Sequence, residues 1–170
     1  MFCYHIRPVR KDDIHELEAI AKVEAMCFPL EEAAPAEVLQ ERAETFPESF
    51  LTAEEDRPEG GRIIGFINGC VTNEKTICDE MFEDASLHCP EGEYQSIFGL
   101  DVIPECRRNG VATALMEALI SAARSAGRKG LILTCKNHLI PYYERFGYRN
   151  MGVSRSVHGG AVWYDMILEF

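Results

Sequence analysis

Between Val102 and Thr113 the chain reads Val-Ile-Pro-Glu-Cys-Arg-Arg-Asn-Gly-Val-Ala-Thr. An apolar strand runs into a basic, glycine-containing turn, and the turn opens directly into an amphipathic helix. Backbone N–H groups at such a turn point outward together, and the helix dipole places partial positive charge behind them. This is an anion site, suited to a diphosphate. Arg107 and Arg108 frame it with two cations, and Gly110 lets a ligand come close to the backbone. Taken alone, the same turn reads equally as an ordinary strand-to-helix connection with exposed arginines.

The pattern continues through a second strand into Asn137 and then Pro141-Tyr142-Tyr143-Glu144-Arg145-Phe146-Gly147-Tyr148. The Arg-x-x-Gly-x-Ala turn and this second segment, in this order, resemble the GNAT superfamily of acyl-CoA-dependent N-acetyltransferases. The resemblance covers essentially the whole chain in its order of elements, with its motifs between about residues 94 and 152. It implies an α/β fold, in which a mixed, mostly antiparallel central sheet is flanked by helices in a single domain over residues 1–170. It also implies acetyl-CoA as cosubstrate, wedged between the two central strands. Arg107, Arg108, Asn109, Gly110, Val111, Ala112 and Thr113 would surround its pyrophosphate. Leu100, Asp101 and Val102 would run along its pantetheine arm, with the backbone of Leu100 and Val102 pairing to it as an extra strand. A donor near Leu100 would polarise the thioester carbonyl. Asn137 would hydrogen-bond the same arm, or alternatively cap the following helix.

Tyr143 stands where the family places a tyrosine, and its phenol, with an ordinary pKa of about 10, suits protonation of a departing thiolate. By residue type alone, Tyr142 and Tyr143 could equally pack against the strands. Leu87-His88-Cys89-Pro90-Glu91-Gly92 and the segment from Leu139 to Tyr148 most resemble the arylalkylamine (serotonin-type) branch. That branch carries two histidines on the central strand, and counting back from Arg107 those positions are Ser96 and Phe98 here. The general base is therefore open between water near Ser96, a carboxylate such as Glu93, and a different substrate. Asp101 should face away from the reacting side by strand alternation, and His88 and His138 read as surface residues.

Met26, Phe28, Pro29 and Leu30, with Phe98 facing them, form an expected apolar slot for an aromatic or alkyl primary amine, or else the hydrophobic end of a helix. No cysteine has a legible base partner, so direct attack in a ternary complex is expected over a covalent acetyl-enzyme. Two other functions fit the same motifs. One is transfer to a protein N-terminus or lysine, and the other is non-catalytic acyl-CoA sensing.

Seventeen Lys and Arg against 28 Asp and Glu leave a net charge of −11, which argues against a nucleic-acid surface. The cations that do cluster lie around the proposed loop. Seven scattered cysteines suit reduced thiols. His88-Cys89 and Cys135-x-x-His138 lack the paired spacing of a zinc site, so no metal is expected. No apolar stretch is long enough to cross a bilayer and no signal-peptide layout opens the chain, so the expectation is a cytoplasmic monomer or homodimer with no membrane partner.

These residues need elements to hold them. Periodicity predicts strands at Cys3–Pro8, Ser49–Glu54, Arg62–Val71, Tyr94–Ile103 and Leu131–Cys135. Helices are expected from Ile14 to about Met26, from Ala36 to Ala43, from the turn at Gly110 to Gly127, and over Ile140–Phe146. Residues 72–93 form a long connection with a short helix near Asp79–Glu83. A last hairpin, Met151–Val157 with Ala161–Leu168, turns at His158-Gly-Gly.

Overall fold

Two glycine-marked crossings decide how the strands are shared between sheets in the computed structural model, which describes residues 1–170. Along the chain run β1 (Tyr4–Pro8), α1 (Ile14–Cys27), α2 (Ala36–Thr45), β2 (Phe50–Glu55), β3 (Arg62–Asn68), β4 (Val71–Thr72) and α3 (Glu80–Glu83). They are followed by β5 (Tyr94–Ile97), β6 (Gly99–Val102), α4 (Val111–Ser125), β7 (Gly130–Cys135), α5 (Ile140–Glu144), β8 (Arg149–Val153) and β9 (Tyr164–Glu169). One sheet has the order β1-β2-β3-β6 and is antiparallel throughout. The other has the order β4-β5-β7-β9-β8, with β5 and β7 parallel.

The expected strand Tyr94–Ile103 is thus two strands broken at Phe98, and the expected strand Arg62–Val71 breaks at Gly69 and Cys70. The two breaks lie side by side. A Cβ at Gly69 would sit 1.9 Å from the Ser96 carbonyl oxygen, so only glycine permits the two backbones to approach this closely. Phe98 N–H donates to Asn68 O (2.7 Å) and Ser96 N–H to Cys70 O (2.8 Å), so both strands change sheet together. Beyond Phe98, β6 stays with β3 while β7 follows β5, and β6 and β7 diverge. Ile103 N–H donates to Ile64 O. Alternation then turns the backbone of Asp101 toward β3 and that of Leu100 toward the gap.

Both long helices close on β3 and β6. Helix α4 buries Val111, Leu115, Met116, Leu119 and Ala123, the stripe its sequence predicts. In α1, Asp13 accepts from the N–H groups of His15 and Glu16 as the N-cap. Its buried side, however, carries Glu16 and Glu24 beside Ile20 and Val23, while Ile14 is 58% exposed. Arg7 neutralises Glu16 from β1. Residues 72–93 hold α3 and a short turn over a second apolar cluster that includes Phe46, Phe82 and Ile167. The last hairpin is narrower than expected, because residues 154–163 form a loop. Asp79 ties this loop down, accepting from Ser156 Oγ and from Val157 N–H. No helix is long and apolar enough to cross a membrane.

Candidate active site

After β6 the chain makes a tight turn in which Arg108 (φ 65°) and Gly110 (φ 80°) are left-handed. Arg108 adopts that conformation at a cost, while at Gly110 it is free of steric penalty. Ala114 N–H donates back to Gly110 O at 3.0 Å. The preceding N–H groups of Val111, Ala112 and Thr113 have no intrahelical partner and sit at the positive end of the helix. They line a cavity of about 330 Å³ together with Arg108, Gly110, Tyr142 and Arg145. Nothing lies within 4 Å of a Cβ position on Gly110, so the approach to these donors is open.

Arg107 lines the same cavity and is exposed, with Nε donating to Val102 O (2.9 Å) and Nη2 reaching Cys27 Sγ (3.7 Å). Asn109 Nδ2 donates to the Cys106 and Arg107 carbonyls, bracing the turn. These two side chains shape the loop that the others present. The Tyr142 hydroxyl is buried in the cavity with no hydrogen-bond partner. Unpaired backbone donors, three arginines (Arg107, Arg108 and Arg145) and the Tyr142 phenol form a donor set that fits a coenzyme A diphosphate.

The gap between β6 and β7 forms a slot of about 110 Å³, walled by Leu100, Phe98, Leu133, Cys135 and Tyr143 and closed by Phe28, Phe82 and Trp163. Tyr143 packs edge-on against Tyr142 and Tyr148. Burial, with smaller effects from Cys135, Tyr142 and Asp101, raises its phenol well above its ordinary value. The group therefore holds its proton at neutral pH. Cys135 is pushed up to about 11 by burial alone, so the thiol in this slot stays neutral. A neutral thiol is a poor nucleophile.

Beyond Phe98 and Phe82 lies a second pocket of about 380 Å³. Its walls are Phe82, Phe98, Val38 and His158, and its carboxylates are Glu24, Glu31, Glu32 and Glu83. Arg42 Nη1 donates to Asn68 Oδ1 and Nη2 to Phe82 O, with the guanidinium 4.7 Å above the Phe98 ring. Burial pulls Arg42 down to about 10, still charged at neutral pH. His158 Nε2 lies 2.9 Å from Glu32 O, and its ring stacks on Phe82.

Several expected residues are placed elsewhere. Phe28 and Phe98 reach the slot, but Met26 and Leu30 are 56% and 91% exposed and Pro29 also faces solvent. The reason is local: α1 continues to Cys27, leaving Met26 on its outer side, and the chain then extends from Phe28. Ser96 is fully buried, with its hydroxyl donating to Cys70 O at 2.7 Å, so it does not line the pocket. The Asp101 side chain is buried toward Glu24, away from the slot. The Val102 carbonyl is taken by Arg107 and Cys27.

Asn137 is exposed at the first position of the turn after β7 and does not cap α5. Glu93 pairs with Lys129 outside both cavities. His88 is a buried structural residue and not a surface one. Its Nδ1 accepts from Val71 N–H, its ring lies on Phe46, and burial lowers its pKa. His138 is exposed.

Glu24, Arg42, Phe82, His158 and Trp163 also line the pocket side, and Tyr142 and Arg145 the loop side, beyond the residues expected there. Only the last two carried a signal, since they flank Tyr143 in the second motif. No three His, Cys, Asp or Glu side chains come together as a metal site.

A family model described as the acetyltransferase (GNAT) family matches residues 14–148. Serotonin N-acetyltransferase of Mesocricetus auratus is 28% identical over 110 residues, which is 64% of this chain and 51% of that enzyme. The chain spans about half the length of the curated relatives it matches. Among solved structures, the NatC complex bound to Gag peptide and CoA aligns with a TM-score of 0.79 at 17% identity, covering 98% of both chains. The GphF GNAT-like decarboxylase in complex with isobutyryl-CoA aligns at 0.75 and 20% identity, covering 97% of this chain and 98% of that one.

Proposed function

Because the chain belongs to the GNAT family of acetyltransferases, we propose that it transfers an acetyl group from acetyl-CoA to a primary amine held beside Phe98. One observation carries this reading. The slot between β6 and β7 has Tyr143 in its wall, and Phe98 and Phe82 belong both to the slot and to the acid-rimmed pocket. The N–H groups of Val111, Ala112 and Thr113, with Arg108, Arg145 and Tyr142, hold the diphosphate. The free backbone edge at Leu100 holds the arm and polarises the carbonyl. Bound acetyl-CoA supplies the activated acetyl thioester. Tyr143 protonates the departing sulfur. With Cys135 neutral, the amine attacks directly and no acetyl-cysteine forms.

Acidic groups around an aromatic wall favour a cation with an apolar body, and an arylalkylamine is the finer form of this proposal. The serotonin-type histidines are replaced by Ser96 and Phe98, so the proton must leave by another route. A second reading is transfer to a protein N-terminus. Leu30 and Met26, exposed on the segment leading into the pocket wall, offer apolar contact to a peptide. Retention of Tyr143 in the slot speaks against a pure sensor of acyl-CoA.

The test is release of coenzyme A from acetyl-CoA across phenethylamine, tryptamine, simple alkylamines and short peptides with free N-termini. Release with the small amines is the expected outcome, and release with peptides alone selects the second reading. Tight acetyl-CoA binding with no release on any acceptor overturns acetyl transfer.

A further inference from the structure

Glu24 on α1 and Arg42 on α2 line the acid-rimmed pocket, and two further polar side chains are buried behind them, Asn68 on β3 and Asp101 on β6. They are 5%, 4%, 0% and 0% exposed, respectively. Arg42 has partners in Asn68 Oδ1 and Phe82 O, and Glu24 Oε2 accepts from Ala34 N–H at 2.8 Å. No donor N–H or O–H of the other groups reaches either Asp101 oxygen, whose neighbour is the Glu24 carboxyl, and Asn68 Nδ2 has no partner. Buried polar groups are nearly always paired, and a carboxyl whose neighbour is another carboxyl can be paired only through a shared proton.

The orphans face the space left by a missing side chain. A Cβ on Gly99 would lie 3.0 Å from Asp101 Oδ1, 3.7 Å from Glu24 Oε1 and 3.8 Å from Asn68 Nδ2. Two carboxyl groups therefore converge on one point of β6, one residue before Leu100. Glu24 and Phe98 line the acceptor pocket, while Phe98, Gly99 and Leu100 line the slot.

Neighbouring buried carboxyls do not both ionise readily, and they share a proton. Burial, followed by the charge of Glu24, holds Asp101 protonated far above the usual carboxylate range, against the opposing pull of Arg42. The other titratable groups near the pair are Cys27 at the end of α1 and Tyr143 across the slot. Glu31, Glu32, Glu83 and His158 stand around the pocket. Ser96 and Phe98 offer no free proton acceptor, and His88 and Glu93 lie elsewhere. The Glu32 side chain is also buried in this pocket, but Lys136 holds its carboxylate at 2.8 Å, and Glu24 is the buried pocket carboxyl that adjoins Asp101.

We propose that Glu24 removes the proton from the acceptor's ammonium group, with Asp101 as the positioning partner that shares and stabilises that proton. This rests on the acetyl-transfer reading above. R–NH₃⁺ gives one proton to Glu24, and the freed nitrogen lone pair forms the C–N bond at the thioester carbonyl carbon. The C–S electron pair leaves on sulfur, which takes the Tyr143 proton. The Tyr143 oxygen recovers a proton from the nitrogen, and Glu24 releases its own to solvent. The products are the amide, the free thiol and one proton.

Two measurements test this. In the first, protein labelled with ¹³C at Asp and Glu carboxyls is titrated by NMR, with Asp101 assigned through Asp101→Asn. A carboxyl that stays protonated at neutral pH is expected, and ionisation of both at neutral pH overturns the proposal whatever the protein acetylates. In the second, Glu24→Gln is compared with wild type on an alkylamine, which is an ammonium ion at neutral pH, and on O-methylhydroxylamine, which is neutral there. kcat on the alkylamine should fall roughly 10²-fold with the KM for acetyl-CoA unchanged, while the rate on O-methylhydroxylamine is retained. Equal losses on both acceptors overturn the base assignment alone. Failure of wild type on every amine overturns both it and the acetyl-transfer reading.

Discussion

Tyr143 is suited to donating a proton because its position keeps that proton in place. Burial between β7 and the Tyr142 and Tyr148 rings disfavours the phenolate until sulfur develops negative charge. Tyr143→Phe should lower kcat by roughly 10²-fold with little change in acetyl-CoA binding. An acetyl thioester with a more acidic thiol should recover part of the loss. Turnover unchanged by the substitution removes Tyr143 from the chemistry.

At Gly110 the backbone is left-handed and opens on free space. Gly110→Glu adds strain, bulk and negative charge there, so acetyl-CoA binding measured by calorimetry should be abolished. Wild-type affinity would mean that the diphosphate lies elsewhere. Asp101 has a consequence for stability as well. Its folded-state pKa is raised, so the folded protein keeps a proton that the unfolded chain gives up above about pH 4. The resulting stabilisation is complete at low pH and is lost as pH rises toward the folded-state value. Asp101→Asn should therefore gain urea resistance relative to wild type as pH increases. Parallel pH curves for the two proteins would contradict this.

At the scale of elements, the slot exists because β3–β4 and β5–β6 change sheet at the same level. Gly69 permits this crossing, with a Cβ there only 1.9 Å from the Ser96 carbonyl oxygen. Gly69→Ala should cost about 3 kcal/mol or more in urea unfolding and widen or close the slot, read as a change in acetyl-CoA affinity. A fully stable variant with wild-type affinity would show that the crossing does not depend on the glycine. The helices were legible in advance, since the Asp13 cap and the apolar stripe of α4 are local signals. The sheet switch was not. Tyr94–Ile103 is an unbroken strand-like run, and alternation does not record that its partner changes at Phe98.

Across the whole molecule, the net charge of −11 coexists with a basic loop around Arg108 and Arg145 and with carboxylates around the acceptor pocket. Under the proposed function, the overall field would draw in a cationic acceptor, and the loop would attract the diphosphate locally. Salt screens the long-range part of both effects. Raising ionic strength should increase the KM of an ammonium acceptor several-fold and leave that of the neutral O-methylhydroxylamine nearly unchanged. An equal salt response for both acceptors would remove the electrostatic account of the pocket.

Local chemistry made the turn before α4 and the Tyr142–Tyr143 segment readable from sequence, because each is a contiguous run whose conformation depends on neighbouring residues. The same holds for most helix and strand positions. The acceptor pocket and the carboxyl pair required tertiary structure. Glu24, Arg42, Asn68 and Asp101 come from four separate elements, and nothing in their spacing distinguishes them from solvated charges. Met26 and Leu30 show the reverse error, since apolar residues beside a predicted pocket turned outward once α1 ran one residue further. Sequence by itself determined the basic, glycine-containing turn that opens α4. Only the packing of α1 onto β3 and β6, with α2 against α1, decided which carboxyls were removed from water, and burial next to one another gives those carboxyls their proton chemistry.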